Sequence, residues 1–175
     1  NPDKQGFSHY LSLLEKGVLN KDTLRERIIN SDEYKIVQLT LDFLQQSKVQ
    51  IQIHGKSFFV NTSNNTAFWA QLQLGLWEPN TFKIFDTFLD PEHSYIDIGS
   101  WIGPTVLYGC QKAKYCYAFE PDPVAFGFLN NNVDLNDSLK DKIHLSDNCI
   151  MDFSGLSYLT PKTESGGDSL SSTIF

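Results

Sequence analysis

Two carboxylates and two glycines lie at the ends of short apolar runs in the middle of the chain. Asp97 is near the end of the run YIDI, and Glu120 directly follows the run YCYAF, 23 positions after Asp97. Gly99 and Gly103 lie between them in the spacing G-x-x-x-G. A carboxylate at a strand end can accept hydrogen bonds from a ligand, and a glycine lets the backbone approach that ligand closely. These residues predict a ligand site at one edge of a sheet.

A single strand–helix–strand unit would bring these residues together. Residues 95–98 predict a first strand, and Pro104 suits the first turn of a helix, where its missing N–H is no loss. We expect that helix to extend over residues 105–113 and a second, parallel strand over residues 115–119. This pattern is the nucleotide-binding half of a doubly wound α/β fold.

The turn lacks a glycine that a dinucleotide requires. The pattern is D-x-G-x-x-x-G, and Trp101 and Ile102 occupy the place where a pyrophosphate would meet the helix N-terminus. A nucleoside without a pyrophosphate fits better, and S-adenosylmethionine is such a ligand. Its amino group could bond to Asp97 and its ribose to Glu120, since an acid roughly 20 residues along such a unit accepts from ribose hydroxyls.

The same two motifs resemble a known family. D-I-G-S-W-I-G followed by A-F-E-P-D-P is similar to the FkbM family of S-adenosylmethionine-dependent methyltransferases, whose pattern is close to D-V-G-A-N-I-G and then A-F-E-P-x-P. The chain departs from it at Ser100, where the family has another small residue, and at Trp101, where it has Asn. The resemblance implies a Rossmann-like class I methyltransferase fold, with S-adenosylmethionine as cofactor.

The resemblance also implies further cofactor-binding residues. The family has a similar x-E-P-x-T turn before the helix that precedes the first strand, so Glu78 is expected near the methionine end; an acid facing the helix dipole is the alternative. Asp147 and Asn148 end the third strand, where related methyltransferases read the adenine edge; a solvated strand end is the alternative. The implied cofactor-binding set is Glu78, Asp97, Gly99, Ser100, Trp101, Gly103, Glu120, Pro121, Asp147 and Asn148.

No catalytic residue is assigned. The sequence offers no evident nucleophile–base pair, metal cluster or paired carboxylates. Methyl transfer needs little of these, because the methyl group of a sulfonium is already electrophilic and the protein mainly aligns the two reactants.

Helical periodicity marks the N-terminal quarter of the chain. Apolar residues recur at helical spacing between residues 7 and 44, and Asn20 and Ser31 are typical N-caps. Residues 1–46 are therefore predicted to be a helical segment. It is either a lead-in that packs on the next domain, or the end of a small helical module like those that accompany bacterial sugar-polymer enzymes.

Several further elements are predicted around the central unit. Strict alternation in VQIQIH, followed by GK and SFFV, predicts a hairpin whose turn residue His54 is solvated. Residues 67–76 fit a helix or an irregular cover. The other predictions are a helix containing residues 82–88, a helix over residues 123–133 that Asp122 caps, and a third parallel strand over residues 143–146. A last hairpin is predicted to pair residues 157–160 with residues 173–175, with Gly166 and Gly167 in its polar loop.

Residues 47–175 are predicted to be the N-terminal, cofactor-binding part of a Rossmann-like methyltransferase domain that is truncated at its C-terminus. The family's later D-x-E-G strand does not occur, and the closing residues STIF resemble the middle of a strand. We expect the segment alone to be inactive and the outer edge of its first strand to be unpaired.

Composition and charge restrict the class of partner. Hydrophobic residues make up 41% of the chain and charged residues 20%, as in ordinary globular proteins. The net charge of −7 argues against a nucleic acid or an anionic membrane as partner, and no apolar run approaches the roughly 18 residues of a membrane span. Three scattered cysteines suit buried thiols in a reducing cytoplasm better than a zinc site.

Three functions remain open at this point. The leading hypothesis is methylation of a hydroxyl on a sugar or a small metabolite. The second is a nicotinamide-dependent oxidoreductase on the same unit, against which the bulky Trp101 counts. The third is a non-catalytic module of a larger polysaccharide-related protein.

Overall fold

Three helices open the chain. The computed structural model describes residues 4–152, 154–155, 158–160, 167 and 172–174. Helix α1 spans Lys4–Glu15, α2 spans Lys21–Asn30 and α3 spans Asp32–Phe43. A capping box begins α2, because the Asn20 side chain accepts from the Thr23 amide while the Asn20 amide donates to the Thr23 hydroxyl. Ser31 caps α3 through its hydroxyl. The predicted N-terminal helices are therefore present, with both predicted caps.

An antiparallel hairpin and a covering helix follow. Strand β1 (Lys48–Ile53) pairs with β2 (Lys56–Asn61) in the predicted way, and the odd-numbered side chains of β1 are buried. Helix α4 (Thr66–Gln73) packs on β1 and on α3, and its Trp69 and Leu72 are buried. The region that the sequence left open between a helix and an irregular cover is thus a helix.

The central unit is an α/β structure with a parallel sheet. Helix α5 spans Pro79–Phe88, β3 Tyr95–Ile98, α6 Pro104–Gly109, β4 Cys116–Phe119, α7 Pro123–Asp134 and β5 Ile143–Ser146. The strands are parallel in the order β3-β4-β5. Helix α6 is shorter than predicted. It ends at Gly109, whose carbonyl accepts from the amides of both Lys112 and Ala113 in a tight turn.

Two buried asparagines of α7 and its C-terminal turn tie the hairpin to the α/β unit. The Asn136 side chain accepts from the Phe59 amide and donates to the Phe59 carbonyl, each at 2.8 Å. The Asn132 side chain accepts from the Asn61 amide and donates to the carbonyl of Ile102, at 2.9 Å each. These amides satisfy the free edge of β2 as a neighbouring strand would, and they fix α7 against the turn that follows β3.

The two faces of the parallel sheet differ in burial. Cys116 and Ala118 are fully buried on the face towards α6, whereas Ile96 and Ile98 on the other face are 64% and 65% exposed. Parallel sheets are normally covered on both faces. Within the described residues one face is therefore uncovered, and β3 pairs only with β4, as predicted for the outer edge of the first strand.

A short hairpin lies near the C-terminus of the chain. Strand β6 (Tyr158–Thr160) pairs antiparallel with β7 (Ser172–Ile174), as predicted. Of the residues named for that hairpin, Ser157, Gly166 and Phe175 lie outside the described residues, whereas Gly167 is described and buried.

The described ranges contain no helix that is both long and apolar enough to cross a membrane. They also contain no group of three His, Cys, Asp or Glu side chains placed to hold a metal ion. Cys110 and Cys116 are buried thiols as expected, but Cys149 is exposed because it follows the end of β5. The expectation of three buried cysteines is wrong for that residue.

Candidate cofactor-binding site

The carboxyl ends of β3 and β4 bring the predicted acids to one edge of the sheet. The register pairs Ile98 with Phe119, so the chain leaves both strands at the same level. The amides of Gly99 and Ser100 then donate to the Phe119 carbonyl at 2.9 and 3.0 Å. Gly99 and Glu120 are therefore neighbours across the strand ends, as the sequence predicted.

The turn between β3 and α6 requires left-handed backbone angles. The φ angles are +77° at Gly99, +47° at Trp101 and +91° at Gly103. A Cβ atom on Gly99 would meet no protein atom within 4 Å, so within the protein itself only the backbone angle requires a glycine there. A Cβ atom on Gly103 would lie 2.6 Å from Cδ1 of Leu129, so that glycine also permits close packing of α6 on α7.

The carboxylate of Glu120 accepts hydrogen bonds from two backbone amides of the protein. Its Oε2 accepts from the Trp101 amide at 2.7 Å and its Oε1 accepts from the Asp122 amide at 2.8 Å. Glu120 is only 7% exposed. Burial raises its pKa, and the two backbone amides oppose that rise. Glu120 thus stabilises the glycine turn. The sequence predicted only ribose binding for this residue and did not indicate the structural role.

Asp97 carries an unsatisfied carboxylate oxygen. Among the described residues its Oδ2 is the one buried side-chain polar atom without a hydrogen-bond partner. Burial raises the pKa of Asp97, and the nearby Thr105 and Ser100 side chains oppose that rise in part. A buried acceptor without a donor is costly, so a ligand group that donates to Oδ2 would stabilise the site.

Trp101 is held at three points. Its backbone amide donates a hydrogen bond to Glu120, and its indole Nε1–H donates to the Gly167 carbonyl at 2.9 Å. Its ring also makes an edge-to-face contact with Phe68 of α4, with 4.6 Å between ring centroids. The turn is therefore fixed to the sheet, to α4 and to the region after β5.

The remaining predicted site residues differ in their exposure. Ser100 is buried and its hydroxyl donates to the Asp97 carbonyl at 3.0 Å, so it is used within the turn. Asp147 and Asn148 are exposed just beyond Ser146, whose carbonyl accepts from the Glu120 amide. They follow the same edge of the sheet. Pro121, between Glu120 and Asp122, is half-buried.

Glu78 precedes α5 and is exposed. Its φ is +39°, and its carboxylate accepts from the Thr81 hydroxyl at 3.0 Å, without a capping bond to the helix amides. Glu78 therefore lies at the N-terminus of α5. This position is compatible both with a place near the methionine end of the cofactor and with an acid that faces the helix dipole.

The sequence reading missed two contributions to the site. Asp122 was predicted as a helix cap, and its Oδ1 does accept from the amides of Val124 and Ala125. Its Oδ2 also accepts from the Gly167 amide at 2.9 Å. Gly167 was assigned only to a polar loop. No local sequence pattern indicates this contact, because the two residues are 45 positions apart. Gly167 has a φ of +74° and packs closely against Val124, and both features favour a glycine.

His54 is exposed at the turn, as predicted, but it also has a partner that the sequence did not indicate. Its Nδ1 lies 2.7 Å from Oδ2 of Asp86, and Asp86 also accepts from the Tyr108 hydroxyl at 2.5 Å and from Lys112 Nζ at 3.0 Å. This cluster joins the hairpin, α5 and α6. His54 meets Asp86 because of the tertiary structure. The His54 ring packs edge-to-face against Phe82 of α5 and Tyr108 of α6.

Comparison with known proteins gives structural neighbours only. No family model matches the chain, and no curated protein matches it. The complex of aTrm5 with tRNALeu is similar at 20% identity and a TM-score of 0.39, over 58% of this chain and 28% of that one. P. horikoshii TYW2 with MeSAdo is similar at 22% identity and a TM-score of 0.40, over 62% of this chain and 39% of that one.

A third similar structure is the N-terminal domain of human METTL16, at 16% identity and a TM-score of 0.38, over 74% of this chain and 63% of that one. The chain thus spans less than two thirds of the length of each of these proteins. Likeness at this level does not assign a family or an activity.

Proposed function

We propose that the chain carries the cofactor-binding part of an S-adenosylmethionine-dependent methyltransferase. The observation that supports this most is the buried, unpartnered Oδ2 of Asp97 beside the glycine turn. The amino group of the cofactor's methionine end is a donor of the right kind for this oxygen. Glu120, at the end of the next strand, is an acceptor for ribose hydroxyls.

The hydrogen bonds that the turn amides make within the protein favour a nucleoside over a dinucleotide as ligand. A pyrophosphate binds to free N–H groups at a helix N-terminus. Here the amides of Gly99 and Ser100 donate to Phe119, that of Trp101 donates to Glu120, and that of Gly103 donates to the Ser100 carbonyl at 2.9 Å. These donors are used within the protein, which counts against the nicotinamide-dependent oxidoreductase.

The finer parts of the proposal follow the resemblance to the FkbM family. Asp147 and Asn148 would read the adenine edge, Glu78 would lie towards the methionine end, and residues 47–175 would belong to one Rossmann-like domain after the helices of residues 1–46. The methyl acceptor would be a hydroxyl of a sugar or a small metabolite. A cytoplasmic location and the absence of a nucleic-acid partner remain predictions from cysteine usage and from the net charge of −7. The likeness to a tRNA-bound protein gives the second of these no support.

When bound, S-adenosylmethionine supplies an electrophilic methyl group. This chain's own residues would hold the nucleoside at the carboxyl ends of β3 and β4. Asp97 would accept from the amino group, and the backbone at Gly99 would let the ligand approach the sheet edge. We assign no catalytic base among the described residues.

Calorimetric titration with S-adenosylhomocysteine and with NAD tests the proposal. We expect S-adenosylhomocysteine to bind, NAD to give no heat, and Asp97→Ala to weaken binding, whereas Asp141→Ala at the exposed turn before β5 leaves it unchanged. Binding of NAD alone would support the oxidoreductase. Binding of neither ligand would overturn the proposal in favour of the non-catalytic module.

A further inference from the structure

A cleft with a volume of about 240 Å³ opens beside the hairpin turn. It lies between the end of β1, the C-terminal end of α4 and the first turn of α5. Its polar residues and its ring-bearing residues are Gln52, His54, Gln73, Trp77, Pro79 and Phe82. We call this space the His54 cleft. No Asp, Glu, Lys or Arg lines it, so the ligand that suits it carries no net charge.

The His54 cleft is separate from the glycine turn at the strand ends. Helix α6 begins directly after that turn, and its Tyr108 packs edge-to-face on His54. As a crossover helix, α6 runs from the carboxyl end of β3 back towards the amino end of β4, so these two rings lie further from the carboxyl edge than the turn does. The ring of Phe68 also stands between Trp77 and Trp101, with centroid distances of 5.1 and 4.6 Å.

Aromatic rings form the apolar part of the cleft. Phe82 is buried and Trp77 is half-buried, and their ring planes meet at 59° with 6.0 Å between the centroids. The His54 ring stands edge-on to Phe82 at 6.4 Å. Because these rings are inclined to one another, they do not form a parallel slot that would sandwich a planar base. They suit the non-planar C–H face of a sugar ring better.

Hydrogen-bonding groups without protein partners also line the cleft. The Oε1 of Gln73 accepts from the Gln52 backbone amide at 2.8 Å, which leaves the Nε2 hydrogens of Gln73 as donors. In the part of the chain that the structure describes, neither these hydrogens nor the Trp77 indole N–H has a hydrogen-bond partner. A sugar hydroxyl both donates and accepts, so a ring with several hydroxyls can meet such groups.

His54 adds an acceptor whose orientation is fixed. Its Nδ1 lies 2.7 Å from Oδ2 of Asp86. Burial would raise the pKa of Asp86, but its hydrogen bonds, above all that from Tyr108, lower it to about 2, so the carboxylate accepts and Nδ1 carries the hydrogen. The Nε2 of the neutral ring is then an acceptor. His54 has a φ of +44° in a two-residue hairpin turn, where Gly, Asn and Asp are preferred, so the turn itself does not account for a histidine.

We propose that the His54 cleft binds a single uncharged sugar ring, with the C–H face of the sugar against Trp77 and its hydroxyls bonded to Gln73 and to Nε2 of His54. The cleft is smaller than the roughly 300 Å³ at which sites for drug-sized ligands begin, which limits it to one ring. This site is independent of the nucleoside site, and its failure would leave the proposed methyltransferase function in place.

NMR titration of the chain with the methyl glycosides of glucose, galactose, mannose and N-acetylglucosamine tests the proposal. The chain has three tryptophans, and Trp77→Phe identifies the indole N–H signal of Trp77. At least one glycoside should shift that signal saturably, with the millimolar affinity expected for so small a ligand. The absence of a saturable shift with any of these glycosides, or binding of adenine with equal or greater affinity, would overturn the proposal.

Two conservative variants test the polar contacts. Gln73→Glu keeps the oxygen that accepts from the Gln52 amide and removes the Nε2 donors, and His54→Asn suits the left-handed turn but removes the imidazole. Each should bind the glycoside about three- to tenfold more weakly, the factor that corresponds to one modest hydrogen bond. Gln71→Glu makes the same change on α4 outside the cleft and should bind as the wild type does. Wild-type affinity in either cleft variant, or an equal loss in Gln71→Glu, would overturn the assignment.

Discussion

The Trp101 amide and the Glu120 carboxylate are joined by a hydrogen bond of 2.7 Å that links the glycine turn after β3 to the end of β4. Trp101 has a φ of +47°, which L residues seldom adopt. The hydrogen bond therefore offsets part of the cost of the turn. The proposed ribose contact and the geometry of the turn depend on the same carboxylate, so the two effects must be separated in any experiment on this site.

A substitution at Gly99, with a suitable control, can separate an effect on ligand binding from an effect on the geometry of the turn. Gly99→Val should cost about 1–2 kcal/mol of unfolding free energy, because the residue sits at φ +77° without a steric contact. It should also abolish binding of S-adenosylhomocysteine, because the side chain points into space that the ligand requires. Circular dichroism should stay near that of the wild type, and calorimetry measures the binding.

Gly75→Val is the control for strain. Gly75 has a φ of +69° and likewise nothing within 4 Å of a built Cβ atom, but it lies after α4, outside the candidate site. We expect it to lose similar stability and to keep its affinity. Equal affinities of the Gly99 and Gly75 variants would show that no ligand approaches the backbone at Gly99.

The pairing of Asn136 with both backbone groups of Phe59 predicts a large stability effect. Asn136→Ala should lower the free energy of unfolding by about 1–3 kcal/mol, because the amide and the carbonyl of Phe59 lose their partners. Asn131→Ala, at an exposed position of α7, should leave it within about 0.5 kcal/mol of the wild type. Urea unfolding of the two variants measures the difference, and similar losses in both would contradict the proposed tie between β2 and α7.

The cluster around Asp86 predicts a specific loss of stability in acid. Partial burial would raise the pKa of Asp86, but hydrogen bonds from Tyr108, Lys112 and His54 outweigh it and lower the pKa from 3.8 to about 2. Because the folded value lies below the unfolded one, the contribution of Asp86 is complete above about pH 4. It is lost as the pH falls from about 4 towards 2.

Denaturant unfolding at several pH values measures this effect. The difference in unfolding free energy between the wild type and Asp86→Asn should be constant between about pH 5 and 7 and should shrink below about pH 4. Asp141→Asn, at an exposed carboxyl, should show no such dependence. A difference between the wild type and Asp86→Asn that persists unchanged at about pH 2.5 would mean that the carboxylate charge is not what joins the hairpin to α5 and α6.

The strands and caps could be predicted because their causes are local. Tyr95–Ile98 and Ile143–Ser146 are strands with the bounds that their apolar runs indicate, and Asn20, Ser31 and Asp122 cap the helices that follow them. The placement of Gly99 beside Glu120 also followed, since parallel strands end at the same edge of a sheet.

The contacts that could not be predicted join distant parts of the chain. Asn132 and Asn136 fall in a polar stretch that indicates only the end of a helix, yet they satisfy the edge of β2 more than 70 residues away. His54 has a turn residue's sequence context, and its partner Asp86 is on another element. Gly167 fits any polar loop, and only the fold brings it to Trp101.

The most direct test of the ribose assignment combines a variant with an altered ligand. Glu120→Ala removes the carboxylate but also releases the turn, so lower affinity alone would not identify the ribose as its partner. Comparing S-adenosylhomocysteine with its 2′-deoxyribose analogue removes that ambiguity, because only the ligand hydroxyl differs between the two titrations.

The wild type should bind S-adenosylhomocysteine roughly 5- to 100-fold more tightly than the 2′-deoxy analogue, the factor expected for a lost hydrogen bond to a buried carboxylate. In Glu120→Ala the two ligands should bind with equal affinity, whatever the overall loss. Discrimination of the same size in the wild type and in Glu120→Ala would contradict the assignment of the ribose to Glu120, and with it the site as described.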